Sequence, residues 1–147
     1  MVVAIIIAGG VGSRMGQKIP KQFISVDNKP VIAYTLEAFQ AHPQIDAIEV
    51  VCLEGWESAL RAYAKQYGID KLKWVVPGGA SGQESIRNGV FNLEGVLSSE
   101  DICMIHDGVR PMLDADVITD VLRVCEVYGN AVTSMPYNEQ IFVIDES

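Results

Sequence analysis

The sequence lacks any uncharged apolar run near the ~18 residues that read as a membrane-spanning helix. Its apolar N-terminal run, residues 2–8, follows no basic residue and is itself followed by glycines, which is not the pattern of a secretory signal peptide. Charged residues make up 20% and hydrophobic residues 49% of the 147 residues, a composition typical of a globular protein. We therefore expect one domain spanning 1–147 and no membrane partner.

Cysteine is scarce, and its spacing excludes two familiar uses. The three cysteines, Cys52, Cys103 and Cys125, include no pair with CxxC spacing. An odd, dispersed set fits neither a disulfide scaffold nor a zinc cluster. It fits thiols that pack as small core residues in a reducing, cytoplasmic environment.

Basic residues are also few, and their distribution is uneven. Lys and Arg number 11 against 19 Asp and Glu, for a net charge of −8, which argues against nucleic acid as a partner. No acidic residue precedes Asp27, however, while Arg14, Lys18 and Lys21 fall close together. A cationic segment in an acidic protein predicts a small anionic ligand. The alternative at this point is three solvated surface charges.

Hydrophobic patterning predicts an alternation of strands and helices. Continuous β-branched runs predict buried strands, and residues spaced i, i+4, i+7 predict helices between them. The predicted strands are 2–8, 47–53, 72–76, 101–106 and 131–135. The helices begin near Pro30 and Trp56 and after the capping box Ser81-x-x-Glu84, and the last ends at Gly129.

This alternation predicts an α/β fold, a Rossmann-like, mainly parallel sheet with helices on both faces. Ligands of such sheets bind beyond the carboxyl ends of the strands. The segments that follow strands, 9–21, 77–85 and 106–111, are therefore the candidate site.

The glycine-rich segment 8–16 reads Ala-Gly-Gly-Val-Gly-Ser-Arg-Met-Gly. Glycines after a buried strand let backbone N–H groups approach a phosphate. Lys18 lacks the neighbours of a Walker A lysine, and Met15 stands where a dinucleotide fingerprint needs its third glycine. Arg14 can bind two phosphate oxygens and Lys21 supplies a mobile charge. The alternative is a glycine-rich turn without a ligand.

Three motifs in register carry a family resemblance. The glycine-rich segment is followed by Pro20-Lys21-Gln22-Phe23, Gly78-Gly79 precedes Ser85 by six residues, and residues 106–111 read His-Asp-Gly-Val-Arg-Pro. Over nearly the whole chain, this set resembles the cytidylyltransferases that act on 2-C-methyl-D-erythritol 4-phosphate or ribitol 5-phosphate. The resemblance implies the nucleotide-diphospho-sugar transferase type of fold.

The resemblance also implies a reaction and its residues. CTP would lie over the glycine loop, a polyol phosphate oxygen would attack the α-phosphorus, and pyrophosphate would leave. Arg14 and Lys21 match the family's catalytic cations, Asp107 a Mg²⁺ carboxylate and Arg110 a substrate contact. His106 is interpreted as positional rather than as a base. The implied nucleotide-binding residues are Ala8, Gly9, Gly10, Gly12, Ser13, Gly79, Ala80, Ser85 and Gly108. An alternative for Asp107 is a turn cap paired with Arg110.

The sequence departs from the family pattern in three places. Gly82 stands where relatives carry an arginine, and residues 138–140 read Asn-Glu-Gln instead of Arg-Asp-Thr. The chain also ends within a predicted strand at 141–144, earlier than family members do. We therefore expect a nucleotidyltransferase domain that lacks its C-terminal part and whose full-length form is a homodimer.

Three functional hypotheses follow. The leading one is a CTP-dependent cytidylyltransferase, with methylerythritol 4-phosphate (an isoprenoid precursor route) and ribitol 5-phosphate (a cell-surface polymer, teichoic acid, route) both open. The second is a nucleotide-binding module, or a truncated and inactive fragment of such an enzyme. The third, a nicotinamide-dependent oxidoreductase, is disfavoured by Met15 and Arg14.

Overall fold

A computed structural model describes residues 1–10 and 19–135. The chain divides into two compact units, Met1–Ala115 and Asp116–Ser147. Each unit is described by itself, and a single domain over 1–147 stays a prediction. No helix in the described ranges is long and apolar enough to cross a membrane.

The first unit alternates strands and helices. In chain order its elements are β1 (Val2–Ala8), a 3-10 turn (Lys21–Phe23), β2 (Ser25–Val26), β3 (Lys29–Pro30), α1 (Val31–Ala41), β4 (Ala47–Cys52), α2 (Glu57–Gln66), β5 (Leu72–Pro77), α3 (Gly82–Asn92) and β6 (Ile102–Asp107). The second unit contains α4 (Ala115–Tyr128), which begins at the boundary between the units.

Four of these strands form a parallel sheet in the order β5-β4-β1-β6. The chain runs outward from β1 through β4 to β5, and then returns to place β6 on the other side of β1. The strand order thus reverses at β1, and the crevice beside such a reversal is where open α/β sheets bind ligands. The four strands agree with their sequence predictions to within a residue at each end.

The predicted helices on both faces of the sheet are confirmed within the first unit. On one face α3 lies so close that a Cβ on Gly89 would stand 2.8 Å from Ile5 Cγ2. On the other face Phe39 of α1 packs edge-on against the ring of His106, with 5.2 Å between centroids. β1 lies between these layers, and four of its seven residues have no exposed surface, which makes it the centre of the core.

A capping side chain and glycines with positive φ define several of the helix ends. The Glu84 N–H donates to Ser81 Oγ at 3.1 Å, which caps the start of α3. Gly68 and Gly129, with φ of +66° and +79°, follow α2 and α4 as left-handed stops. Pro30 precedes the first residue of α1 rather than joining its first turn.

The prediction that the cysteines pack as small core residues is correct only for Cys52, which is buried. Cys103 is exposed and Cys125 is only partly buried.

Two further features differ from the sequence analysis. Residues 131–135 form no strand, so that prediction was wrong. Val132 and Met135 are 88% and 87% exposed, and no strand among the described residues pairs with this segment. The β2–β3 hairpin was not predicted, although Asp27 and Asn28, with φ of 50° and 62°, provide the left-handed turn that two-residue hairpins favour. The predicted strand at 141–144 lies outside the described residues.

Candidate functional site

A cleft of about 520 Å³ lies at the carboxyl edge of the sheet. Its volume is within the range of small-molecule binding sites. The lining comes from the segments that follow β1, β4, β5 and β6, together with the 3-10 turn. Two of these segments face the cleft as walls. Residues 78–85 are called the capped wall, and Gly9, Gly10 and the turn Lys21–Phe23 are called the lysine wall.

The capped wall is held by hydrogen bonds made within itself. Ser85 Oγ accepts from the Gly79 N–H at 3.0 Å and donates to the Ser81 carbonyl at 3.0 Å. Glu84 Oε2 accepts from the Ala80 N–H at 2.9 Å. Ser85 is 3% exposed, so its hydroxyl shapes this wall. The predicted nucleotide contact of Ser85 stays a prediction.

The lysine wall is held together by the side chain of Gln22, which reaches from the turn to the end of β1. The Gln22 amide, 1% exposed, donates to the Ala8 carbonyl at 2.7 Å and to the Gly10 carbonyl at 3.1 Å. Those two carbonyls flank Gly9 at the end of β1. Lys21, the neighbour of Gln22 in the turn, therefore borders the same cleft as the glycines.

The two walls meet at a pair of glycines. A Cβ on Gly78 would lie 2.9 Å from Gly9 Cα, and a Cβ on Gly9 would lie 3.0 Å from Gly78 Cα. Real Cβ atoms essentially never approach other atoms as closely as 2.9 Å, so a larger residue at position 78 would force a shift of the backbone, and one at position 9 would need the neighbouring backbone to give by a few tenths of an ångström. The Gly78 N–H donates to the Cys52 carbonyl at 2.8 Å, which fixes the contact against β4.

The segment after β6 supplies a carboxylate to the cleft. Asp107 lines the cleft, and its Oδ2 lies 3.3 Å from Arg110 Nε. Their side chains are 46% and 76% exposed, so this ion pair holds neither group strongly. Gly108 is fixed by Thr35 Oγ1, which donates to its carbonyl at 3.0 Å. A Cβ on Gly108 would stand 3.0 Å from the Ile7 carbonyl oxygen.

His106 lies on the last part of β6, beside the cleft. Burial lowers its pKa, and the nearby Asp107 carboxylate opposes this effect only in part. The imidazole is therefore neutral at pH 7, and its ring packs against Phe39. This packing fits the positional interpretation of His106.

Eight of the predicted site residues line the cleft together: Ala8, Gly9, Gly10, Lys21, Gly79, Ala80, Ser85 and Asp107. Gly108 and Arg110 adjoin it through Asp107 but are not part of the lining. Gly12, Ser13 and Arg14 lie outside the described residues.

Sequence reasoning missed three contributors. Gln22 was quoted within a motif but given no role, and its long-range bonds leave no local signal. Thr35 reads as one helix residue among others. Glu54, which lines the cleft after β4, was overlooked although it follows a predicted strand directly.

The described residues could bind Mg²⁺ only if substrate phosphates supplied further ligands. Within the ranges 1–10 and 19–135, no group of three or more His, Cys, Asp or Glu side chains could hold a metal ion. Mg²⁺ is commonly bound by one or two carboxylates together with substrate phosphates. Asp107 could serve as such a single carboxylate.

The family model described as "IspD: 2-C-methyl-D-erythritol 4-phosphate cytidylyltransferase" matches residues 2–147. The chain belongs to this family. The resemblance inferred from the three motifs is thereby confirmed.

Curated relatives in the IspD family carry two names. A "Ribitol-5-phosphate cytidylyltransferase" of Lacticaseibacillus paracasei is 53% identical over 97% of this chain and 61% of its own length. One of the same name from Vibrio parahaemolyticus is 44% identical over 99% of this chain and 61% of its own. A "2-C-methyl-D-erythritol 4-phosphate cytidylyltransferase" of Clostridium botulinum is 38% identical over 96% of this chain and 63% of its own. The chain thus spans less than two thirds of these relatives.

Solved structures support the fold. The Francisella tularensis 2-C-methyl-D-erythritol 4-phosphate cytidylyltransferase (IspD) gives a TM-score of 0.66 at 28% identity, covering 85% of this chain and 52% of that one. A structure titled 4-diphosphocytidyl-2C-methyl-D-erythritol synthase gives 0.69 at 21% identity, covering 86% and 54%. The parallel α/β nucleotidyltransferase fold is therefore confirmed.

Proposed function

We propose that the full-length protein transfers CMP from CTP to a polyol phosphate and releases pyrophosphate, and that this chain supplies its nucleotide site. The observation that carries the proposal is the convergence of Gly9, Gly10, Lys21 and Asp107 on one cleft, in a member of the IspD family. A glycine-lined wall, a cation and a carboxylate are the groups that a nucleoside triphosphate with its metal requires.

The chemistry requires charge stabilisation more than proton transfer. A phosphate oxygen of the polyol phosphate forms a bond to the α-phosphorus of CTP, and the bond from that phosphorus to the β-phosphate oxygen breaks. The nucleophile is already an anion, so no base is needed. Lys21, with Arg14, stabilises the negative charge that develops on the α-phosphoryl oxygens and on pyrophosphate.

We propose that Mg²⁺ enters the site together with CTP. Mg²⁺, when bound with CTP, neutralises phosphate charge. Asp107 would hold it, through Oδ1 or in exchange for the exposed contact of Oδ2 with Arg110. In the second case Arg110 would be free to meet the phosphate of the polyol.

Ribitol 5-phosphate is the polyol phosphate that we propose first. The relatives at 53% and 44% identity are named for it. The second candidate is 2-C-methyl-D-erythritol 4-phosphate, which is favoured by the family description and by relatives at 38% identity.

The experiment is a pyrophosphate-release assay with CTP and Mg²⁺, with each polyol phosphate offered separately. The full-length protein is compared with the 147-residue chain. Release with ribitol 5-phosphate supports the first proposal, and release with methylerythritol 4-phosphate alone selects the second. CTP binding without release from either would favour a non-catalytic nucleotide-binding module.

We also propose that the full-length protein is a cytoplasmic homodimer. The three cysteines are free thiols, as a reducing compartment allows. The homodimer is implied by the family resemblance alone, and sedimentation equilibrium of the full-length protein tests it.

A further inference from the structure

We propose that Gln22 is a positioning residue for the transfer reaction: its amide joins residues 8–10 at the end of β1 to the turn that carries Lys21, so that both present their groups to one phosphate chain. The proposal deepens the proposed function and rests on it. Gln22 does not contact substrate in this role and acts through Lys21.

The Gln22 amide donates two hydrogen bonds to the backbone at the end of β1. Gln22 Nε2 lies 2.7 Å from the Ala8 carbonyl oxygen and 3.1 Å from the Gly10 carbonyl oxygen. Both partners can only accept hydrogen bonds, so the group that faces them must be the NH₂. Both amide hydrogens are thus used on one three-residue stretch of backbone.

Burial makes these two bonds consequential. Gln22 is 1% and Ala8 3% exposed, so water does not readily replace a lost donor at the Ala8 carbonyl. Gly10 is exposed, so its carbonyl would turn to water, and such a turn moves the neighbouring N–H groups at the end of β1. No other side-chain bond from the turn to Ala8 or Gly10 exists among the described residues.

The opposite side of the turn is fixed by aromatic packing. The Phe23 ring stacks on Trp56 with centroids 4.6 Å apart and on Tyr63 with centroids 6.4 Å apart. Inside the turn, the Phe23 N–H donates to the Pro20 carbonyl at 2.9 Å. Gln22 therefore anchors the turn to the end of β1, Phe23 anchors it to α2 and its N-cap residue Trp56, and Lys21 precedes both.

Positional precision matters for a cation that acts only in the transition state. A displacement of about 1 Å can cost on the order of 10²-fold in rate. Lys21 has a long, flexible side chain, so its backbone must be placed for the ammonium to be effective. This is the task that the geometry assigns to Gln22.

The test is a double-mutant cycle in the full-length protein between Gln22→Met and Lys21→Ala. Methionine keeps the length of the side chain and removes both donors. We expect Gln22→Met alone to lower kcat by about 10- to 100-fold, with a smaller change in KM for CTP. In the Lys21→Ala background the same substitution should cost less than about threefold, because groups that act as a unit are not additive.

Equal losses from Gln22→Met in both backgrounds would overturn the proposal, since the amide would then act independently of the lysine. Asn92→Ala is the matched control. It removes another side-chain hydrogen bond, from Asn92 Nδ2 to Glu49 Oε2 at 2.7 Å, at the far end of α3. It should lower the thermal midpoint while kcat stays within about twofold.

A second readout separates this inference from the proposed function. Amide hydrogen exchange followed by mass spectrometry reports on residues 19–24 without any turnover. Gln22→Met should speed exchange there, whereas Asn92→Ala should not. If the full-length protein releases no pyrophosphate, the proposed function fails, and the exchange result alone decides whether Gln22 anchors the turn. Unchanged exchange at 19–24 would refute the anchor.

Discussion

The two walls of the cleft are built by opposite strategies. The capped wall closes on itself, because Ser81, Glu84 and Ser85 bond to backbone groups no more than six residues away. The lysine wall depends on Gln22, which reaches carbonyls 12 and 14 residues earlier in the chain. One wall is held by bonds that are local in sequence, and the other by bonds that join a turn to the end of β1.

This difference predicts different roles for the two walls: the capped wall sets the shape of the cleft, and the lysine wall places the cation. The internal hydrogen bonds of the capped wall hold its shape, so it would offer the proposed nucleotide a preformed surface. The lysine wall holds the cation, and its position depends on contacts from several elements. Substitutions in the lysine wall should therefore change the rate more than binding, and those in the capped wall binding more than the rate.

The largest expected effect comes from Lys21→Ala. Removing a fixed cation from the developing charge should lower kcat by about 10²- to 10³-fold. The fold should be unchanged, because Lys21 is a partly exposed residue in a short turn. Pyrophosphate release and the thermal midpoint are the two measurements. An unchanged rate in the folded variant would remove Lys21 from the mechanism.

Gly78→Ala tests the point where the walls meet. The added Cβ would lie 2.9 Å from Gly9 Cα, so one wall must move. We expect a loss of about 1–3 kcal/mol in the free energy of unfolding, as for overpacked sites. Activity should fall at least about tenfold, the scale of a sub-ångström misplacement. Urea denaturation and steady-state kinetics measure both.

The matched control is Gly82→Ala on the capped wall, where nothing lies within 4 Å of the added Cβ. Its free energy of unfolding should not decrease. If both variants lose the same stability, the backbone contact between Gly9 and Gly78 is not the reason.

Gly82→Arg tests whether a substitution in the capped wall changes the binding of CTP more than the rate of the reaction. Position 82 lines the cleft and has open space for a side chain. A guanidinium there gains charge-assisted bonds to phosphate, so we expect KM for CTP to fall about three- to tenfold with kcat little changed. The gain should shrink as salt rises. Gly82→Gln is the uncharged control, and an equal gain from it would contradict a charge effect.

The smallest effect on activity is expected from Glu49→Gln, beneath the far end of α3. Burial raises the pKa of Glu49, and the bond from Asn92 offsets this only in part. The folded state therefore holds the proton more tightly, so wild-type stability falls as pH rises from the ordinary glutamate pKa through the raised one. Glutamine removes that dependence.

The thermal midpoint of Glu49→Gln should exceed that of the wild type by a few degrees at pH 8, and the gap should narrow near pH 4. Steady-state rates should remain within about twofold. If the difference in thermal midpoint between the variant and the wild type stayed constant across this pH range, the Glu49 carboxyl would not be the group responsible.

The same contrast explains how much the sequence could predict. The four parallel strands were predictable because each is a short, largely apolar run, β-branched above all in β1 and β4, and α3 because Ser81 and Glu84 lie three residues apart. The approach of Gly9 to Gly78 joins positions 69 apart and leaves no periodic signal. The role of Gln22 was hidden for the same reason, whereas Lys21 was found because a cation beside glycines carries chemical meaning by itself.

The stack of Phe23 on Trp56 gives the protein an optical reporter. The sequence has two tryptophans, and Trp56 lies against the turn that carries Lys21 while Trp74 lies on β5. With Trp74 replaced by phenylalanine, the emission of Trp56 would follow that turn in real time. Nucleotide binding could then be timed by stopped-flow fluorescence without an attached dye, and movement of the turn could be compared directly with the release of pyrophosphate.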